Sequence, residues 1–151
     1  MQRREEAIKD VADRVYKHFT SPDTVVYDGF QLKHFELTPI ESVNASMMPC
    51  ILFLEGDDVI QRRSNRTHLG YPLTRAFSLM GEVWVHADED SRAKVLAMYK
   101  EFRNSAFPIS GKLEGGAAIR ETQVLGPFAE THEGSIGMRI TMEIIYEDNN
   151  L

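Results

Sequence analysis

The chain has 151 residues and a mass of 17.2 kDa, the size of one ordinary domain, and needs no disulfide or metal to bury a core. Hydrophobic residues make up 42% and charged residues 26%, which excludes a disordered, collagen-like or disulfide-dense chain, and the single cysteine, Cys50, cannot form an internal bridge. With 17 Lys+Arg against 23 Asp+Glu the net charge is -6, so tight non-specific binding to nucleic-acid phosphates is disfavoured as a main activity.

The N-terminus reads Met-Gln-Arg-Arg-Glu-Glu and passes straight into an amphipathic pattern, without the apolar stretch and cleavage site of a signal peptide. A reducing, intracellular folding compartment is the expectation, with no membrane helix, because the longest apolar run, Met47 to Leu54, is far short of the ~18 residues a span needs. From Arg3 to Phe19 the apolar residues Ile8, Val11, Ala12, Val15, Tyr16 and Phe19 recur every three or four positions, which predicts a helix with one buried face. Pro22 ends it, since proline removes a donor and disfavours helical geometry at the residue before it. Thr24-Val25-Val26-Tyr27, closed by Asp28-Gly29, predicts a first strand or strand-like arm. From Phe30 to Ser46 periodicity is weak, which predicts an exposed connection with room for one irregular strand.

Met47 to Leu54 is nearly all apolar, as in a strand covered on both faces, and its proline lies near the start. Glu55-Gly56-Asp57-Asp58 and Gln61 to His68 predict a polar loop whose second half is basic. From Leu69 to Val85 apolar residues follow a period of two over about seventeen residues, longer than a usual strand of ~5–6. Either two strands meet near Pro72 to Arg75 or one long strand projects beyond the domain. Asp88-Glu89-Asp90-Ser91 reads as the start of a second helix, with Val95, Met98, Tyr99 and Phe102 on its buried stripe. Asn104 to Gly116 reads as a loop. Ala118 to Leu125 predicts a strand closed by Gly126-Pro127, and Ile136, Met138, Ile140, Met142, Ile144 and Tyr146 alternate with polar or small residues as in a half-buried strand. The expected fold is therefore a single α+β domain over residues 1–151, with a mostly antiparallel or mixed sheet carrying an N-terminal and a second helix on one face.

No catalytic, cofactor or metal constellation stands out. The five histidines, His18, His34, His68, His86 and His132, are scattered without a spacing that brings two ligands onto one helical face, and read better as solvated or strand-edge residues. Cys50 lies in an apolar strand, where a thiol is a small core hydrophobe and not a nucleophile. Gly115-Gly116 lacks the lysine and spacing of a phosphate loop. Asp88, Glu89 and Asp90 fit helix capping better than an acid/base pair, because adjacent carboxylates before a helix stabilise its positive end. The seven methionines read as adaptable core filler. Arg62, Arg63 and Arg66 with His68 form the one basic cluster and are the candidate interface residues, suited to an acidic partner surface or to phosphate, against the simpler reading of a solvated loop.

Taken in order, the N-terminal helix, the Tyr27-Asp28-Gly29-Phe30 turn, the strand Met48-Pro49-Cys50-Ile51-Leu52-Phe53, the long strand ending Gly81-Glu82-Val83-Trp84-Val85, the helix at Asp90 to Phe102 and the closing strand Met138 to Tyr146 resemble the tail terminator (tail completion, minor tail protein U-like) family of long-tailed bacteriophages. The connection from Lys33 to Ala45 and the loop from Asp57 to His68 are longer than in the shorter members. The resemblance implies a non-enzymatic virion protein, assembled in the host cytoplasm. It implies a homo-hexameric ring that caps the tail tube, ends tube polymerisation and joins the head connector or neck. Its implied partners are itself, the tail tube protein and the head–tail connector, with the sheath protein as a further candidate. The resemblance also implies that DNA passes through the lumen without specific binding, and an acidic chain suits that, since a negative lumen repels phosphates. The alternative from the residues alone is a small α+β module that binds a ligand or nucleic acid through the Arg62 to His68 loop; an enzyme stands third.

Overall fold

The computed structural model describes residues 4–37, 45–62, 73–130 and 134–148. Helix α1 spans Arg4–Thr20 and buries Ala7, Val11, Ala12, Val15 and Phe19, the stripe expected from the spacing. Tyr16, placed on that stripe by the sequence, is instead half-exposed and meets Phe35 edge-on with ring centroids 5.1 Å apart. Helix α2 spans Ser91–Ala106 and buries Val95, Met98, Phe102 and Ala106. The two helices run antiparallel, because Arg14 Nε donates to the Ser105 carbonyl at 3.1 Å while His18 lies 3.1 Å from Glu101.

Among the described residues the strands are β1 (His34–Glu36), β2 (Cys50–Arg62), β3 (Leu73–His86), β4 (Ala118–Glu130) and β5 (Ser135–Asp148). They form one mixed sheet in the order β1-β2-β3-β5-β4, with β1 parallel to β2 and every other pair antiparallel. The chain is thus a single α+β domain of the expected kind, with both helices on one face of the sheet. On that face Ile51 and Phe53 of β2, Phe77, Leu79, Val83 and Val85 of β3, and Met138, Ile140, Met142 and Ile144 of β5 join the helical stripes in one core. Each large side chain here contributes on the order of 1.5–3 kcal/mol relative to exposure.

The alternation predicted for the last strand is observed. Met138, Ile140, Met142, Ile144 and Tyr146 are buried, and Arg139, Thr141 and Glu143 face the other way. Two glycines make room for a large neighbour, one from α2 and one from the adjacent strand. A Cβ on Gly81 would lie 2.3 Å from Cζ of Phe102, and one on Gly137 would lie 2.6 Å from the Trp84 indole, its partner in register.

Several expectations are corrected. Thr24 to Tyr27 is irregular chain between two turns, not a strand, with Thr24 N–H donating to Ser21 O at 3.2 Å and Phe30 N–H to Tyr27 O at 3.1 Å. Packing overrides β propensity here: Val26 is buried in the helix-side core and Val25 is 78% exposed. The sheet edge is supplied instead by His34–Glu36, inside the segment expected to be irregular. The loop expected from Glu55 onward is strand as far as Arg62. A bulge between Glu55 and Asp58 absorbs Gly56 and Asp57, after which pairing resumes at Asp58↔Phe77. Of the Leu69 to Val85 pattern, the part from Leu73 is one continuous strand running to His86, and residues 69–72 lie outside the described residues. The fourth strand does not close at Gly126-Pro127 but passes through it, because β4 is an edge strand and the register shifts between Leu125 and Phe128. Proline is tolerated at edges and bulges, where its missing N–H interrupts no ladder. The second helix also runs further than expected, to Ala106, before its loop begins.

Candidate interaction surface

The basic cluster predicted as an interface meets the structure at one residue. Arg62 ends β2, pairing in register with Thr74 of β3. Its side chain, and all of Arg63, Arg66 and His68, lie outside the described residues, so the four are neither brought together nor separated.

The other sequence candidates lose their chemical roles to structural ones. Cys50 is fully buried. Burial foremost, and then the negative charge of Glu82, push its thiol up to about 12, far from a nucleophilic thiolate. His18 bridges to Glu101 between the helices, His34 stands on the edge strand β1, and His86 ends β3 in solvent. His68 and His132 lie outside the described residues. The acidic run before α2 is a turn. Asp88 Oδ1 accepts the Asp90 N–H at 2.9 Å, Ser91 Oγ donates to the Asp88 carbonyl at 2.9 Å, and Lys94 Nζ lies 3.0 Å from Asp88 Oδ2. The Lys94 hydrogen bond holds the Asp88 carboxyl below its usual range, while Asp90, at the N-cap position, makes no side-chain cap. Gly116 closes a tight turn by donating to Leu113 O at 2.9 Å. Among the described residues no group of three His, Cys, Asp or Glu side chains converges on a metal position, and no helix is long and apolar enough to cross a membrane.

What sequence reasoning missed lies on the sheet face away from the helices. There Met48, Cys50, Leu52 and Trp84 form a second buried cluster, with Phe128 edge-on to Trp84 at 5.3 Å between ring centroids. Beside it Arg139 donates to Glu82 Oε2 through Nε at 2.8 Å and Nη2 at 2.6 Å, and Trp84 Nε1 donates to Oε1 at 3.4 Å. Four residues further along β5, Arg120 Nη2 of β4 stands 2.6 Å from Glu143. Both pairs are direct cross-strand neighbours, Glu82↔Arg139 and Arg120↔Glu143. No local pattern reveals them, because the signal exists only once the strand order is known. Paired in this way, Glu82 with Arg139 and Glu143 with Arg120 balance each other's charge across the strands.

Compared with known proteins, the chain matches no protein-family model and no curated sequence.

Proposed function

We propose that the chain is a structural virion protein of a long-tailed bacteriophage, a tail terminator. In this reading copies form a six-fold ring on the end of the tail tube, stop its growth and present the face that joins the head connector. The observation that carries it is order: the segments that resemble the family fall on α1, β2, β3, α2 and β5 in sequence. The charge balance is compatible, since a subunit with net charge -6 favours a lumen through which DNA slides without sticking. The basic residues Arg62, which ends the long β2 strand, and Arg63, Arg66 and His68, which come after it in sequence, are assigned to docking on an acidic surface of a neighbouring subunit or adjoining tail protein.

The test is tube length. Tail tube protein polymerised with the purified chain should give tubes that stop growing and carry a ring at one end. Tubes that lengthen at the same rate with and without it overturn the reading, and salt-dependent binding of nucleic acid by the isolated chain would instead favour a binding module.

A further inference from the structure

Charge on the outer surface of the helix layer is segregated. α2 turns Arg92, Leu96, Lys100 and Arg103 to solvent, and their spacings of four, four and three place them on one stripe. The one acid in α2, Glu101, points at α1 and bonds His18. Arg92 and Lys100 have no ion-pair partner among the described residues, and Arg103 reaches Glu121 only at 3.6 Å from a side chain that is 60% exposed.

The N-terminal half of α1 carries the opposite charge. Glu6, Asp10 and Asp13 line a shallow groove of about 320 Å³ together with Glu114, whose N–H donates to Asp10 at 3.0 Å. Lys9 is the one cation there, and it is already paired with Asp13 at 3.0 Å. In the loop that leads from α2 to Glu114, a residue of this groove, stands Ile109, wholly exposed. Its turn is held from both sides, since Gly111 N–H donates to Pro108 O at 2.9 Å and Gly111 O accepts the Ile119 N–H at 2.9 Å. An isoleucine held out on an anchored turn, in the same loop that supplies Glu114 to the acidic groove, is a suitable apolar contact for a basic surface that carries a leucine.

The two surfaces match in spacing. Glu6, Asp10 and Asp13 follow each other by four and three residues, as do Leu96, Lys100 and Arg103, so each set spans about 10.5 Å of helix. They are also displaced along the layer. Residue 14 lies beside residue 105 and residue 18 beside residue 101, so the acidic half of α1 extends past the C-terminal end of α2 while the basic stripe runs the other way. A contact between them therefore uses different patches on the two partners, which is the head-to-tail arrangement that generates rings or filaments.

We propose that the acidic groove with Ile109 of one copy docks on the Leu96, Lys100 and Arg103 stripe of the next copy of this chain. The assignment of this contact to a tail-end ring rests on the function proposed above; the contact itself rests on the helix layer. A second copy is favoured over nucleic acid as the occupant, because three cations on an acidic chain release few counterions from DNA, whereas a complementary surface of equal length is present in the same molecule.

The experiment is sedimentation velocity on the purified chain over a range of protein and salt concentrations, with two charge-reversed variants whose folding is checked by circular dichroism. One variant is Lys100→Glu with Arg103→Glu, and the other is Glu6→Lys with Asp13→Lys; Asp10 is left in place because it holds the Glu114 amide. The parent should self-associate, more weakly as salt rises, and each variant alone should associate at least about tenfold more weakly. An equimolar mixture of the two should recover assembly, since each then offers the surface the other lacks. A parent that stays monomeric throughout, variants that assemble like the parent, or a mixture that shows no recovery each overturns the proposal. Loss of duplex DNA binding in the Lys100→Glu, Arg103→Glu variant with self-association unchanged overturns it too, and makes the stripe a phosphate site. Rings on tail tubes formed equally by all variants would sink this contact and leave the tail-terminator reading standing. Recovery in the mixture without any effect on tail tubes would do the reverse.

Discussion

Gly81→Ala isolates the contact that joins the sheet to α2. Gly81 lies in the middle of β3, and a Cβ there would stand 2.3, 2.9 and 3.1 Å from Cζ, Cε2 and Cε1 of Phe102. Carbon atoms in contact prefer roughly 3.5–4.0 Å, so the ring must retreat by about 1 Å or more. It has nowhere to go. Phe102 is fully buried and meets Phe53 with ring centroids 5.7 Å apart, and Met98 beside it is fully buried as well. Forcing one carbon into such a site costs about 1–3 kcal/mol, which for a domain of this length lowers the melting temperature by about 2–12 °C. Phe102→Leu, which withdraws the ring but leaves a small cavity, should cost about 1–2 kcal/mol alone. The double variant should be more stable than the sum of the two losses by about 1 kcal/mol, because the leucine vacates the space the new methyl needs. Thermal unfolding followed by circular dichroism reads all three variants. A Gly81→Ala protein within about 0.5 kcal/mol of the parent, or strictly additive losses, would refute the packing described here.

Other outcomes follow from the opposite sheet face and from the basic cluster. Cys50 should resist thiol reagents in the native protein at pH 8 and react on unfolding, and Cys50→Ala should leave tail-tube capping intact. With the thiol raised from 9.0 to about 12, the native state keeps a proton that the unfolded chain loses above pH 9. Stability should therefore fall between those values by up to about 1.4 kcal/mol per pH unit from this group, a slope that Cys50→Ala removes and that urea titrations at several pH values would detect. Glu82→Gln, which leaves Arg139 without its carboxylate partner, should cost about 1–3 kcal/mol, less than a fully buried pair because the arginine side chain is 37% exposed. Pairing Glu82→Gln with Arg139→Met should recover part of that loss in chemical denaturation; a double variant no more stable than the single contradicts the pairing. Arg62→Glu, Arg63→Glu and Arg66→Glu together should leave thermal stability near the parent's and impair tube capping, increasingly as salt rises. Capping at the parent level would return the cluster to solvated surface.

The elements that were legible in the sequence are those whose pattern is complete within one segment. α1 and α2 announce themselves by three- and four-residue spacing, and β5 by strict alternation from Ile136 to Tyr146, because a single covered face imposes its period on the chain. Where a partner decides the outcome, the local pattern misleads. Asp57 and Asp58 look like a loop but belong to β2, because β3 is long enough to pair beyond the bulge. Gly126-Pro127 looks like a strand end, yet its place on an edge lets β4 continue. Val25 and Val26 have strand propensity with no strand beside them, and the turns at Ser21 and Tyr27 take that segment instead. The surface features were hidden for the same reason. Glu82 and Arg139 are 57 residues apart, and only the β3–β5 register makes them neighbours. The acidic and basic helix surfaces likewise become a complementary pair only when the antiparallel packing of α1 and α2 sets one beyond the end of the other.

The most direct test of the ring is electron microscopy of purified tail tubes incubated with the chain and averaged at their ends. A tail terminator gives a single six-fold ring seated on one end of each tube, with no decoration along its length. Bare tube ends at saturating protein, or protein scattered along the tube wall, would contradict it.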